Sequence, residues 1–273
     1  MVEILDDWLS EDIGNGDVTS QSVVDNSICK AEVSGGPGII SGLAISRTLL
    51  SKVNIESSTS FSDSDEIKSV VSVLSLSGKA HDILKVERLL LNLLCHLSGV
   101  ATLTAKVVSA AKSVNPKVEI LATRKTIPGF RELEKQAVVH GGGQPHRMRL
   151  DGAILIKDNH IISAGSVNKA IKSARKAEAG LPLELEVDNL EQIKESLISG
   201  VDGFLLDNMS PEKIKIAVKM IRSAEKGGAI FIEASGDITL DKLPDYLDTG
   251  INAISIGAIT HSAQNADIRL EFI

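Results

Sequence analysis

Aromatic side chains are scarce in this chain: one Trp, one Tyr and five Phe in 273 residues. Single-stranded nucleic acid is held on such rings in series, so their scarcity argues against that partner. Positive charge is in deficit too, with 29 Lys and Arg against 36 Asp and Glu. A formal net charge of -7 argues against non-specific binding to DNA or to an anionic membrane. The two cysteines, Cys29 and Cys95, lie far apart with no metal-ligand spacing, and read as buried thiols of a reducing cytoplasm. His140, His146, His160 and His261 share no zinc spacing. No apolar run approaches the roughly 18–20 residues that span a bilayer, which excludes a membrane protein. The acidic start MVEILDDWLSED lacks the regions of a signal peptide. What is present is ordinary for a globular chain: 43% hydrophobic and 24% charged residues, enough for a full core.

Against that acidic background one run stands out, Thr123 to Met148, TRKTIPGFRELEKQAVVHGGGQPHRM. It carries Arg124, Lys125, Arg131 and Lys135, then the glycines Gly141 to Gly143, then His146 and Arg147. Glycine lets backbone N–H groups approach an anion, and Arg and Lys supply the charge to hold it. This points to a small substrate carrying several negative charges.

Upstream, a short amphipathic helix over Val2–Leu9 ends at the glycines of EDIGNGDVTS, and β-like runs follow at Cys29–Val33, Gly38–Ile40 and Val71–Leu76. Leu43–Val53 reads as a helix. Asp82–Lys112 reads as two helices separated at Gly99, the first apolar on nearly every side. After Pro116 the rhythm becomes β–α alternation. Strands are expected at Glu119–Ala122, Ala153–Ile156, Leu183–Val187, Gly203–Leu206, Ala229–Glu233 and Ala253–Ile256. Helices are expected between them, over 131–139, 166–179, 190–199, 211–223 and 240–247. Such alternation implies a parallel sheet covered on both faces. Six strands are too few for the usual eight-stranded barrel. The fold class is therefore α/β: an N-terminal α+β sandwich domain over 1–105, to which 264–273 returns, and an incomplete, about six-stranded α/β barrel over 106–263. An open doubly wound sheet is the alternative.

Polar residues follow every one of these strands. Thr123, Arg124 and Lys125 follow the first, and Lys157, Asp158, Asn159 and His160 the second. The third carries Glu184, Glu186 and Asp188; the fourth ends at Asp207 and Asn208. Glu233, Ser235 and Gly236 close the fifth, and Gly257 the sixth, with Thr260 and His261 beyond. Ligands bind at the carboxyl ends of parallel strands, where loops and helix N-termini converge. Each such residue alone also suits a turn or an N-cap, and Asp207-Asn208 before Pro211 suits a cap well. Together they sort by charge. Arg124, Lys125, Arg147 and Lys157 suit anionic groups, and Glu186 with Asp207 suits Mg²⁺, a hard ion that shares its shell with phosphate and water. Ser235-Gly236 and Gly257 suit a terminal phosphate.

The segments TRKTIPGFRELEKQAVVHGGGQPHRM, ILIKDNHI, LELEVDNLEQ, FLLDNMSPE, IEASGDI and ISIGAITHSA, with EDIGNGDVTS and ERLLLNLLCHLSG earlier, resemble the nicotinate-nucleotide pyrophosphorylase (carboxylating) family, the quinolinate phosphoribosyltransferases. Eight motifs in series cover nearly the whole chain. The resemblance implies a sandwich domain joined to an incomplete α/β barrel. It implies a glycosyltransferase that converts quinolinate and phosphoribosyl pyrophosphate, with Mg²⁺, to nicotinate mononucleotide, carbon dioxide and pyrophosphate in NAD synthesis. It further implies a dimer or a larger assembly such as a hexamer, with each site completed by the neighbouring subunit's Arg88. Arg124, His146, Arg147 and Lys157 would hold the quinolinate carboxylates. Lys125, Glu186 and Asp207 would serve the phosphoribosyl donor and its metal, with Lys157 also among the catalytic groups. Ser235, Gly236, Asp237, Gly257 and His261 would surround the phosphate.

One position departs from the family's pattern. Asp237 stands where a second glycine is common, and it is expected to point outward or cap the following helix, leaving its backbone N–H for phosphate. A group associated with molybdenum uptake shares the TRKT and GGG…PHR features, but ILIKDNH favours the quinolinate branch. Nicotinate phosphoribosyltransferases take a substrate with one carboxylate, whereas this basic cluster is sized for two. A non-catalytic anion-binding protein would need neither carboxylate of the metal pair, yet Glu186 and Asp207 are both present.

Overall fold

The computed structural model describes all residues except Met1, Asn26, Glu178, Ala179 and Lys226. The chain divides into two compact units, one of residues 1–105, 136–142 and 263–273, the other of 106–135 and 143–262.

In the first unit, strands β1 (Ile28–Gly35), β2 (Gly38–Ile39), β3 (Glu56–Ser58), β4 (Glu66–Ile67) and β5 (Val71–Lys79) precede the long helix Ala80–Val114. A four-stranded antiparallel sheet places β1 between β5 and β12 (Ile268–Phe272), with Ala31 opposite both Leu76 and Phe272. Along β1, Ala31 and Val33 are buried and their neighbours are not, the period of two that a one-sided sheet requires. The short strands β3 and β4 carry too few apolar residues in alternation to be legible in the sequence, whereas Ile268, Leu270 and Phe272 alternate along β12, within the segment 264–273 that was expected to return to this domain.

The long helix corrects the expectation of two helices divided at Gly99. It runs unbroken over 35 residues, and Gly99 is a notch rather than a stop. A Cβ there would lie 2.1 Å from the Gln264 carbonyl oxygen, where the returning C-terminal segment crosses the helix. Gly42 and Gly38 make similar close approaches to Leu97 and Thr102, and Ser41 N–H donates to Ser98 Oγ at 3.0 Å. The helix is thus covered on several sides, and Ile83, Val86, Leu90, Leu93, Leu94 and Val100 are fully buried. By length and composition it is also apolar enough to cross a bilayer, with mean hydropathy 1.4 over an 18-residue window. A core helix of a globular protein meets the same test of length and composition. Since 56% of that window is buried by the protein itself, the helix has the burial of a core element.

In the second unit, β6 (Glu119–Leu121), β7 (Ile154–Ile156), β8 (Leu183–Val187), β9 (Gly203–Asp207), β10 (Phe231–Ser235) and β11 (Ala253–Ser255) form one parallel sheet in the order β6-β11-β10-β9-β8-β7. The pairing of the first strand with the last is the seam of a barrel, which removes the doubly wound alternative. The ring is nevertheless not closed. The consecutive strands β6 and β7 are not neighbours in the sheet, and the free edge of β6 carries one parallel bridge, Leu121 to Gln144. Helices fall between the strands in the expected places, but Asp158–Ala164 was unread, the helices expected over 190–199, 211–223 and 240–247 are the shorter Leu190–Ser196, Pro211–Arg222 and Leu243–Leu247, and the helix over 166–179 spans Val167–Ala177. The last two residues of that expectation lie outside the described residues.

The notch at Gly99 is testable because two effects oppose each other there. Helix propensity favours Gly99→Ala by about 1 kcal/mol, whereas forcing a methyl into backbone costs about 1–3 kcal/mol. Thermal unfolding of Gly99→Ala should show a lowered Tm; a raised Tm would mean the close approach does not constrain the helix.

Candidate active site

All six strands run in the same direction, so their carboxyl ends share one rim, and the period of two decides which side chains face inward. On β8, Leu183, Leu185 and Val187 are buried on one face, leaving Glu184 and Glu186 on the other. The same alternation turns Leu205 and Asp207, Glu233 and Ser235, and Ser255 and Gly257 towards a single cavity of about 530 Å³. Arg124, Lys125, His146, Arg147, Lys157, Glu186, Asp207, Ser235, Gly236, Asp237 and Gly257 all line it.

The GGGQPHR segment reaches the rim because Gln144 lies beside Leu121: Gln144 N–H donates to the Ile120 carbonyl, and Ala122 N–H to that of Gln144. Two residues further on, His146 and Arg147 stand next to Arg124. The glycines before them have separate causes. Gly142 adopts φ +84, which L side chains rarely tolerate, whereas Gly141 packs so closely that a Cβ would sit 2.4 Å from the Ala101 carbonyl oxygen. His146 itself sits at φ +51. Arg147 Nη1 donates to the Ala153 carbonyl at 3.1 Å, just ahead of β7 and so across the open side of the sheet.

Beneath these cations lie carboxylates. His146 Nε2 is 3.3 Å from Glu233 Oε2 and 3.9 Å from Glu184 Oε2, and Lys157 Nζ bonds Glu186 Oε2. Glu233 is 1% exposed, and its Oε2 and Glu184 Oε1 lack hydrogen-bond partners among the described residues. Burial, then the neighbouring Glu233, push the Glu184 carboxyl up to about 8. Burial and then Arg124 lower the pKa of Arg147. Arg124 Nε is buried without a hydrogen-bond partner. A donor in that condition is costly unless a ligand takes it.

On the opposite arc, Asn208 was overlooked as a site residue. It holds φ +52, its Nδ2 donates to Asp207 Oδ2 at 2.8 Å, and its Oδ1 accepts from Asp237 N–H at 3.3 Å. A Cβ on Gly236 would lie 2.3 Å from that Oδ1, so the glycine is required. Asp237 is exposed, the outward orientation that was one of its two expected roles, and caps no helix, since the next begins at Leu243. Two expectations are corrected here. The Asp237 N–H donates to Asn208 Oδ1 rather than being left for phosphate. The cap of the helix Pro211–Arg222 is Ser210, not Asp207 or Asn208. The polar pair after β9 was visible in the sequence; the left-handed turn that aims Asn208 back across the rim was not. His160 is likewise structural, its Nδ1 accepting from Lys157 N–H at 2.9 Å to start the helix Asp158–Ala164.

Of the site residues implied by the resemblance, two do not line the cavity. His261 stands behind Gly257, whose missing Cβ would lie 3.1 Å from its Nε2. Arg88 is exposed on the long helix in the first unit.

As to a metal, Glu186 and Asp207 offer hard oxygen donors from adjacent strands, which suits an ion that completes its shell with phosphate oxygens and water. The tighter grouping of His146, Glu184 and Glu233 lies deeper and faces the cationic side. The raised pKa of Glu184 has a measurable consequence. The unfolded chain releases this proton near the ordinary value of 4.5, the folded chain near 8, so stability falls as pH rises between the two. Glu184→Gln stays neutral, so its Tm should fall less than the native chain's between pH 5.5 and 8.5. Equal falls would contradict the assignment.

The comparisons with known proteins agree with this arrangement. Residues 17–98 match the family model described as the quinolinate phosphoribosyl transferase N-terminal domain, and residues 100–271 match the C-terminal domain. A probable nicotinate-nucleotide pyrophosphorylase [carboxylating] of Bacillus subtilis is 39% identical over 98% of this chain and 92% of its own length. Among solved structures, the nicotinate-nucleotide pyrophosphorylase from Francisella tularensis superposes with TM-score 0.93 at 34% identity, covering 100% of this chain and 95% of that one. That from Ehrlichia chaffeensis gives 0.92 at 36% identity, covering 99% and 98%. Full-length matches of this kind, on a sheet whose strand ends carry the family's motifs, mean that the chain belongs to the quinolinate phosphoribosyl transferase family.

Proposed function

We propose that the chain transfers the phosphoribosyl group of phosphoribosyl pyrophosphate to quinolinate with decarboxylation, giving nicotinate mononucleotide, carbon dioxide and pyrophosphate for NAD synthesis. The observation that carries this reading is a single cavity with cations on one arc and the carboxylates Glu186 and Asp207 on the other. Quinolinate brings two adjacent carboxylates to Arg124, His146, Arg147 and Lys157. The unpartnered Nε of Arg124 suits one of them, and planar guanidinium groups suit bidentate contacts. Lys157, already paired with Glu186, has further N–H donors for a substrate oxygen.

Lys125 and the turns at Ser235, Gly236 and Gly257 serve the phosphates of the donor. Thr260 Oγ1 donates to the Lys125 carbonyl at 2.7 Å and fixes the backbone from which Lys125 projects. Glu186 and Asp207 would hold Mg²⁺, which when bound neutralises charge on the pyrophosphate as it leaves. As the bond from ribose C1 to that oxygen breaks and C1 bonds the pyridine nitrogen, positive charge grows on the sugar; the acidic arc favours it. The pyridinium ring then accepts the electron pair left when the 2-carboxylate departs as carbon dioxide, and that carbon takes up a proton. No side chain has to form a covalent bond.

The assembly is a homodimer or a larger oligomer such as a hexamer, in which Arg88 of each subunit serves the neighbour's site. The exposure of Arg88 and its absence from this chain's own cavity support that role. The compartment is the cytoplasm, in keeping with the free thiols of Cys29 and Cys95. One assay series tests the reading: the protein with phosphoribosyl pyrophosphate, Mg²⁺ and either quinolinate or nicotinate, following nicotinate mononucleotide. Quinolinate should win by at least about 100-fold in kcat/KM, and mixed Arg88→Ala and Arg147→Ala subunits, each inactive alone, should regain turnover. No product from quinolinate would refute the activity, and failure of verified mixed oligomers would refute the shared site.

A further inference from the structure

Lys135 is among the largest fully buried side chains of the described residues, 1% exposed, although the run of sequence it sits in reads as a cluster of cations for an anionic substrate. It projects from the helix Arg131–His140. Its Nζ donates to the carbonyl of Pro145 and, at 2.6 Å, to that of Arg147. Those two carbonyls bracket His146, the residue held at φ +51. We propose that Lys135 is a positioning residue for substrate binding: its ammonium ties down the carbonyls on either side of His146 and so aims His146 and Arg147 at the dicarboxylate. The inference rests on the reading that these two residues hold quinolinate.

Three observations converge on it. A non-glycine residue in the left-handed region persists only where its surroundings hold it there, and the tether acts on the residues immediately before and after. The charges nearest Lys135 are Arg131, Arg124 and Arg147; with burial the largest cause, they lower its pKa to about 8. A purely structural tether between backbone carbonyls has no need of a fourth cation in that company, and a neutral donor would avoid the repulsion. Behind an anion site, the same charge strengthens the attraction for the ligand. Finally, the neighbouring cation Arg131 is likewise committed to the scaffold: its Nε donates to Thr126 Oγ1 at 3.0 Å and its Nη1 to the Met148 carbonyl at 3.4 Å. The helix thereby grips the loop on both sides of Arg147.

The test compares Lys135→Met, which keeps the length and loses donors and charge, with Lys135→Gln, which keeps N–H donors and loses only charge. Both are checked for folding by circular dichroism and Tm, and Arg147→Gln is the reference for the underlying reading. A displacement of about 1 Å in a binding group can cost on the order of 100-fold. Lys135→Met should therefore raise KM for quinolinate at least about 10-fold while KM for phosphoribosyl pyrophosphate changes less than about 2-fold. Lys135→Gln should recover part of the loss, and amide exchange should quicken in Lys135→Met at residues 146–148 before it does elsewhere. Equal rises in both KM values, or no rise for quinolinate in whichever variant folds, would overturn the inference. If Arg147→Gln raises the quinolinate KM and neither Lys135 variant does, Lys135 alone is at fault; if Arg147→Gln also leaves it unchanged, the dicarboxylate reading falls with it.

Discussion

A chain of net negative charge that gathers four cations and a histidine around one cavity must compensate the repulsion among the cations before any anion arrives. It does so from the inner face of the sheet. Glu233 lies under His146 and Glu186 pairs with Lys157, while Glu184 beside them holds its proton up to a pH of about 8. These carboxylates occupy every second position of parallel strands, so the same register that builds the sheet delivers both the counter-charges and the acidic arc of the cavity. Uncompensated charges at such depth would be costly. Compensated on one side only, they keep a free face towards the cavity. The orphan Nε of Arg124, the unpartnered Oε2 of Glu233 and the raised pKa of Glu184 are places where that balance stays visibly incomplete.

The open side of the ring follows from the same economy. Where a complete barrel would set β7 beside β6, this chain has the single bridge at Gln144 and then the loop of His146 and Arg147. A further strand there would fill the edge with backbone hydrogen bonds. The loop instead brings side chains to the rim, with Arg147 reaching across to the Ala153 carbonyl. The cost is a segment with little regular structure of its own, held by glycine geometry at Gly142, close packing at Gly141 and the buried ammonium of Lys135.

Much of this was legible in the sequence, and what was not has physical reasons. The β–α alternation after Pro116 revealed the parallel sheet because fully buried strands are short apolar runs, and polar strand ends revealed the rim. The seam between β6 and β11 is a contact between the two ends of a long segment, which local periodicity cannot encode. Gly99 read as a helix stop because propensity knows nothing of the Gln264 carbonyl that crosses there. Asp237 was read from its own chemistry, whereas its N–H is claimed by Asn208 from another strand. Lys135 read as one more cation facing an anion because composition records charge but not depth, and its partners, the Pro145 and Arg147 carbonyls, lie in the following loop. In the other cases the missing term is a partner distant in sequence.

The claim on which the whole account turns is that the cationic arc is balanced so as to recognise two carboxylates rather than one. Calorimetric titration of the protein with quinolinate and, separately, with nicotinate measures this directly. Loss of one charge-assisted contact, worth about 1.5–3 kcal/mol, should leave nicotinate roughly 10–100-fold weaker. Equal affinities for the two ligands would contradict the account.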